Sequence, residues 1–517
     1  MAAVGPRSES GTARHLLRST ASNVAGQVVV LGVWFGLTPF IVHRLGATDY
    51  GLWVLVASLI AYGNLLDLGV GAAVTKYVAE FRARGRSEEA SDLIATALCI
   101  YSVVGLLVVL ASAPLALVLP HLFNIAPGQE SEARWVVFLT GLALAVKLPT
   151  TTAYAVLRGL QRFDLNNLIS VAATLVQAAA TITVLLLGGG VVGLAALIIP
   201  VTLLTQIPML GVIRHVAPDI RFGLRGAQRG LVRNVASFST SLLVINGGGV
   251  VKTQTDQVII GAALPVSTLA PYSLAQRISL LPTMLTYQFV RVLFPLASEL
   301  HGIKDRAQLR ALYVGSTRLT LALFVPIGAG LMVLAKPFLT AWVGESFAGD
   351  ANITVILIAA GFFDMPMLPA ASMLMGTNAH RPLALFVGGS ALLNLGLSVA
   401  LVGSMGVTGV ALATLIATGL QAFVVTPFAM RRYDVPLTTL ASEALAPGLL
   451  PAVPAVFTLF ALRAVLDPSS LVAVLAVGAI GGLVYAAGYL SFSASASERL
   501  ALRRVALGTL ELARARR

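Results

Sequence analysis

Residues 235–262 read VASFSTSLLVINGGGVVKTQTDQVIIGA. The stretch follows a basic loop and is long enough to cross ~30 Å of hydrocarbon as a helix. It nevertheless carries Asn246, Lys252 and Asp256 at depths where lipid would surround them. A charge at the centre of a bilayer costs at least ~2.5 kcal/mol on insertion scales, so such a residue faces a wet cavity or a partner. Asn246, Gly249, Thr253 and Asp256 recur at helical spacing, which makes one polar stripe on an otherwise apolar helix.

Comparable apolar runs recur along nearly the whole chain of 517 residues, which is 57% hydrophobic and 11% charged, with a mean hydropathy of +0.88. These values lie outside the range of soluble domains. The chain therefore reads as an all-α polytopic membrane protein of about 14 transmembrane helices. The predicted spans lie near 22–42, 52–75, 93–119, 135–157, 168–188, 191–212, 235–262, 270–294, 312–335, 352–375, 384–402, 407–429, 444–465 and 471–492. The polar, basic residues 1–21 form a cytoplasmic tail and lack the apolar core of a cleaved signal. The single cysteine, Cys99, supports neither a disulfide framework nor a cysteine metal site.

The net charge of +13 is explained by topology without invoking nucleic acid. With both termini inside, about 27 of the 35 Lys and Arg fall in inner segments. Outer segments hold Arg44, Arg134, Lys336 and Arg463. Moving the count by one span would reverse this asymmetry for half the protein, so the even count and the inner termini support each other. The basic tail, 494–517, has helical spacing of basic and apolar residues; it lies on the anionic inner leaflet or is simply solvated.

The chain also repeats itself at a shift of roughly 215–217 residues. LRSTAS at 17–22 overlays VRNVAS at 232–237, Lys76 falls on Arg291, and Lys147-Leu-Pro149 on Asp364-Met-Pro366. Gly159 falls on Gly376, and GVVGLA from Gly190 matches GVTGVA from Gly406. Six spans separate the copies, so the repeats are parallel, related by an axis along the membrane normal. The expected plan is two six-helix lobes around a central cavity, 22–213 and 235–430, joined by an inner loop at 214–234. An added helix pair occupies 431–493.

Lys147, Lys252, Asp256, Arg277 and Asp364 lie too deep to be loop residues, and Asp67 sits in the inner half of the second span beside Asn64. Lys76 and Arg291 place positive charge at the inner mouth of the cavity. Lys147, Lys252, Arg277, Lys76 and Arg291 are thus candidates for holding a phosphate or pyrophosphate headgroup. Asp256, Asp364 and Asp67 are candidates for coupling to a proton or Na⁺, and Asn246, Thr253 and Asn64 for polar lining. Pro149 and Pro366 follow a charge by two residues and are candidate hinges. Mutual pairing of these charges, purely to hold helices together, is the competing explanation. No GxxxxGK[ST] loop is present, so ATP does not drive the chain directly. No cofactor or metal is expected, and no hydrolase triad is spaced in the sequence.

The segment L45-GATDYGLWVLVASLIAYGNLLDLGVGAA, with KYVAE at 76–80 and V156-LRGLQRFDLNN further on, resembles the polysaccharide transporters, the lipid-linked oligosaccharide flippases. That superfamily also holds multidrug and toxin extruders and the lipid II flippase. The resemblance implies alternating access and an undecaprenyl-pyrophosphate-linked glycan passed from the inner to the outer leaflet of a bacterial cytoplasmic membrane. It implies coupling to an ion gradient and partners that include membrane lipids, a glycan polymerase or glycosyltransferases, but not nucleic acid. A multidrug or metabolite cation antiporter of the same superfamily is the alternative, weakened by the lack of an acidic residue in span 1. A membrane glycan ligase or polymerase would generally need a substantial outer loop, and none is present.

Overall fold

The computed structural model describes residues 9–67, 69–228, 230–231, 250, 254–494 and 498–499, and every long element among them is helical. The chain divides into two compact units, Met1–Ala270 and Pro271–Arg517. The described part of the seventh span belongs to the first of them, although the sequence reading opens the second lobe at 235.

The first unit contains α1 (Glu9–Gly63), α2 (Val70–Ala83), α3 (Ser87–Leu122), α4 (Glu130–Gly159), α5 (Phe163–Leu186), α6 (Gly190–Val216) and α7 (254–263). The second contains α8 (Leu269–Val290, which begins just before the division), α9 (Leu293–Gly302), α10 (Arg306–Val333), α11 (Ala335–Val343), α12 (Ala351–Gly376) and α13 (His380–Arg432). The chain continues into α14 (Leu437–Leu466) and α15 (Leu471–Ser493).

Among the described residues, ten helices are long and apolar enough to cross a membrane, or eleven with the bent pair α8–α9. Two of the ten hold two predicted spans each, because helical geometry resumes at once after Gly46 in α1 and Gly406 in α13. Counted that way, the described residues account for 13 of the predicted 14 spans, and the remaining one is the seventh, mostly outside them.

Side-chain size explains which face of each helix is buried. In α3, Val103, Leu106, Leu107, Leu110 and Leu117 are exposed, while Ala90, Ala97, Gly105, Ser112 and Ala116 are buried. Lipid tails are as apolar as leucine, so packing alone drives helices together and small residues collect at their contacts. The core of the first unit is built on Val74, Ile94, Tyr101, Leu148, Val156 and Met209. That of the second is built on Leu293, Tyr313, Met373, Val425 and Leu440.

The repeat has a structural cause in each unit. Gly190 and Gly406 both have positive φ, +55° and +60°, where a side chain is disfavoured. A Cβ on Gly159 would meet the carbonyl of Thr75, and one on Gly376 the carbonyl of Phe294. Both glycines therefore admit a close helix crossing. The second span of each repeat is broken, which the sequence reading treats as continuous. Span 2 passes through a 3₁₀ turn at Asn64–Asp67 and a left-handed Gly69 before α2 begins. Span 8 bends by 44° between its two segments. By contrast, α4 and α12 run unbroken through Pro149 and Pro366.

Hydrogen bonds stitch both ends of the first unit. At one end the Asn124 amide donates to the Gly261 carbonyl and the Val266 amide to the Asn124 carbonyl, each at 3.1 Å, while Gln129 bonds Asp49. At the basic end the Ser87 hydroxyl donates to Asp219, the Arg221 amide to Ser91 at 3.0 Å, and the Gln228 amide to Thr96 at 3.1 Å. The 217–228 loop is thereby laid along α3. The Ser87 hydroxyl, with the nearby Arg82 guanidinium, holds the Asp219 carboxyl below the usual carboxylate range.

Candidate functional site

A cleft of about 390 Å³ opens inside the first unit, walled by α1, α4, α5 and α6. α4 presents Lys147, Thr151 and Tyr154, which lie on one face because residues four and seven apart align on a helix. α5 adds Thr174 and Gln177, α6 adds Thr202 and Gln206, and α1 adds Trp34. Among the described residues, no carboxylate lines the cleft.

The threonines have spent their hydroxyl protons on their own helices. Thr174 donates to the Ser170 carbonyl at 2.9 Å and Thr202 to that of Ile198 at 2.7 Å. Their oxygens can therefore only accept further bonds. Among the described residues, the Lys147 ammonium, the Gln177 and Gln206 amides and the Tyr154 hydroxyl have no hydrogen-bond or ion-pair partner. Gln206 is only 9% exposed. Gln177 is half-buried and Lys147 exposed; a nearly buried amide and a cation without protein partners are expensive in a membrane span, so the cleft is built to hold water or a ligand.

Behind its wall lies a second polar group. The fully buried Tyr101 of α3 donates its hydroxyl to Asp67 at the span 2 break. The Gly71 amide donates to the same carboxylate at 3.4 Å. This Tyr101–Asp67 pair sits at the break in span 2.

The other predicted residues are dispersed. Lys76 is exposed on α2, its ammonium 4.8 Å from the centre of the Tyr77 ring. Asp256 is buried on α7, 2% exposed, and the adjoining Thr255 hydrogen bonds Tyr62. In the second unit Arg277 is exposed on α8, and Arg291 is exposed in the turn between α8 and α9. Asp364 is half-buried on α12, within electrostatic reach of Tyr287. Asn246, Lys252 and Thr253 lie outside the described residues, as does the side chain of Asn64.

The two units differ where the repeat superposes them. A shift of about 216 places Thr174, Thr202 and Thr205 on Ser390, Thr418 and Gln421, all three buried. The Ser390 hydroxyl donates to the Ala417 carbonyl at 3.1 Å, and Asn394 bonds Thr414 at 2.9 Å. Ser390 and Gln421 line a smaller cleft of about 250 Å³ whose other walls, among them Leu385, Phe386, Leu393 and Leu420, are apolar.

Sequence reasoning singled out Lys147 and Asp67 but missed Trp34, Tyr101, Tyr154, Gln177 and Gln206. The available signal was polar residues at helical spacing in apolar spans, such as Ser170, Thr174 and Gln177.

Known proteins resemble this chain over most of its length. Residues 41–351 match the family described as polysaccharide biosynthesis protein. The succinoglycan biosynthesis transport protein ExoT of Rhizobium meliloti is 24% identical over 338 residues, 65% of this chain and 64% of that protein. The match thus spans slightly less than two thirds of that relative. The lipid II flippase MurJ, in an inward closed conformation, superposes with a TM-score of 0.69 at 13% identity, covering 91% of this chain and 98% of that one. An inward-facing multidrug resistance MATE transporter gives 0.66 at 14% identity, covering 80% of this chain and 96% of that one. At these identities the structural likenesses establish the fold.

Proposed function

The chain belongs to the polysaccharide biosynthesis protein family, and from that premise we propose that it is an alternating-access transporter of an anionic lipid-linked oligosaccharide. The substrate is an undecaprenyl-pyrophosphate-linked glycan moved from the inner to the outer leaflet of the cytoplasmic membrane, with both termini of the protein inside. The observation that carries this reading is Lys147, a cation that, among the described residues, has no protein partner and shares its cleft with no carboxylate. Such a site attracts a phosphate-bearing ligand. A carrier of cationic drugs would need the opposite charge there.

Lys76, Lys252, Arg277 and Arg291 are the further cations that the sequence offers for the headgroup. Asp67, Asp256 and Asp364 are the carboxylates available to exchange a proton or Na⁺. Asp67 is the best placed of them, because its bond to Tyr101 sits at a break in a helix and protonation would weaken that bond. Pro149 and Pro366 soften α4 and α12 for the rearrangement.

Complementation of a deletion strain tests the reading. Lys147→Ala lowers glycan export at least tenfold, with lipid-linked precursor held in the inner leaflet, while Lys147→Arg retains most of it. Full export by Lys147→Ala would remove the phosphate role. Precursor accumulating in the outer leaflet of the deletion strain would point to a polymerase or ligase instead.

A further inference from the structure

Lys147 accounts for only one part of the cleft in the first unit. A site for phosphate alone would surround the anion with donors, as clustered Lys, Arg and backbone N–H groups do. Here one cation is accompanied by two carboxamides, several hydroxyl oxygens limited to accepting, and two aromatic side chains, Trp34 and Tyr154. Carboxamides both donate and accept, which matches the dual character of sugar hydroxyls. Aromatic rings provide rigid, amphipathic contact surface with a polar tip.

The cleft's ~390 Å³ lies near the lower end of the roughly 300–1,000 Å³ range of small-ligand sites. It suits one sugar ring with its phosphate and not several rings. Gln206 strengthens the argument, being nine-tenths buried, at the cleft surface and without a described partner.

We propose that this cleft is a glycosyl-phosphate site, in which Lys147 takes the phosphate while Gln177, Gln206, Trp34 and Tyr154 read the first sugar. The inference rests on the transporter reading and adds to it specificity for the reducing-end sugar of the glycan, located within the first unit. The remaining rings lie outside the cleft and go unread, so discrimination falls on the sugar next to the lipid phosphate.

The test is calorimetric titration of the purified full chain in detergent with sodium phosphate, methyl glucoside, and the 1-phosphates of glucose, galactose and N-acetylglucosamine. At least one sugar phosphate binds tenfold or more tightly than both phosphate and methyl glucoside. Lys147→Ala abolishes binding of the sugar phosphate. Gln206→Leu and, independently, the half-buried Gln177→Leu weaken it at least fivefold while leaving phosphate affinity unchanged, with thermal unfolding confirming that each variant is folded. If no sugar phosphate outcompetes phosphate, the cleft is a simple anion site and the proposal fails. It fails equally if none of the probes binds, or if both glutamine variants bind like wild type.

These outcomes separate from those of the complementation. Loss of export in Lys147→Ala without sugar discrimination overturns this proposal and leaves the transporter reading in place. Sugar-phosphate binding that depends on Lys147, in a protein whose Lys147→Ala variant exports normally, overturns the role of the cleft in transport instead.

Discussion

At the scale of single residues, a few positions hold conformations or contacts that no other residue type reproduces. Gly406 keeps φ at +60° and ψ at −142° in the middle of α13, a backbone conformation in which a side chain costs ~1–3 kcal/mol. Gly406→Ala therefore lowers the thermal unfolding midpoint in detergent, while Gly396→Ala, with ordinary φ and open space around it, does not. Tyr101 is the hydroxyl donor to Asp67. Tyr101→Phe leaves the carboxylate with the weaker Gly71 contact, and a buried acceptor deprived of its donor costs ~1–3 kcal/mol. The same change at Tyr77, which stacks on Phe81 through its ring, leaves the midpoint unmoved. Both comparisons are read by thermal unfolding of purified protein.

At the scale of elements, spans 2 and 8 are the ones that break, while the proline-bearing α4 and α12 are continuous. Proline inside a membrane helix is tolerated where the surrounding structure accommodates the lost i→i−4 bond, and α4 stays helical on both sides of Pro149. A 3₁₀ turn followed by a left-handed glycine interrupts the ladder outright. The 217–228 loop illustrates docking by side chains. Its tie through Ser87 and Asp219 depends on an ionised carboxyl whose pKa is depressed in the folded state. That contribution is present above the ordinary carboxylate pKa and is lost as pH falls through the lowered value. Ser87→Ala accordingly speeds tryptic cleavage after Arg221 and Arg225 several-fold at neutral pH. In wild type, protection of the loop from amide exchange is retained down to pH 5 and falls only in stronger acid.

At the scale of the whole molecule, this is a multi-pass membrane protein of a polysaccharide biosynthesis family. The topology proposed for it is directly testable because Cys99 is the sole cysteine. In a Cys99→Ser background, single cysteines at Ser87, Asp219 and Lys304 react with an impermeant maleimide only from the inner side. Cysteines at Asn124 and Arg463 react only from the outer side. Much of this level was legible from the chain itself. Hydropathy over about 20 residues and the count of basic loops are local properties, so they determined the helices, their number and the expected orientation. The repeat was visible in Gly159, Gly190, Gly376 and Gly406 because backbone conformation and close helix crossing leave little choice of residue. Lys147 stood out because a charge in an apolar run has no cheap explanation. The cleft itself was decided by tertiary structure. Trp34, Tyr154, Gln177 and Gln206 are each unremarked in their own helices, and only the packing of α1, α4, α5 and α6 turns them toward one another. The same holds for Asp67, whose partner Tyr101 is 34 residues away on another helix. Local pattern specifies where a helix lies and which face is polar; which polar faces converge depends on contacts between helices far apart in the chain.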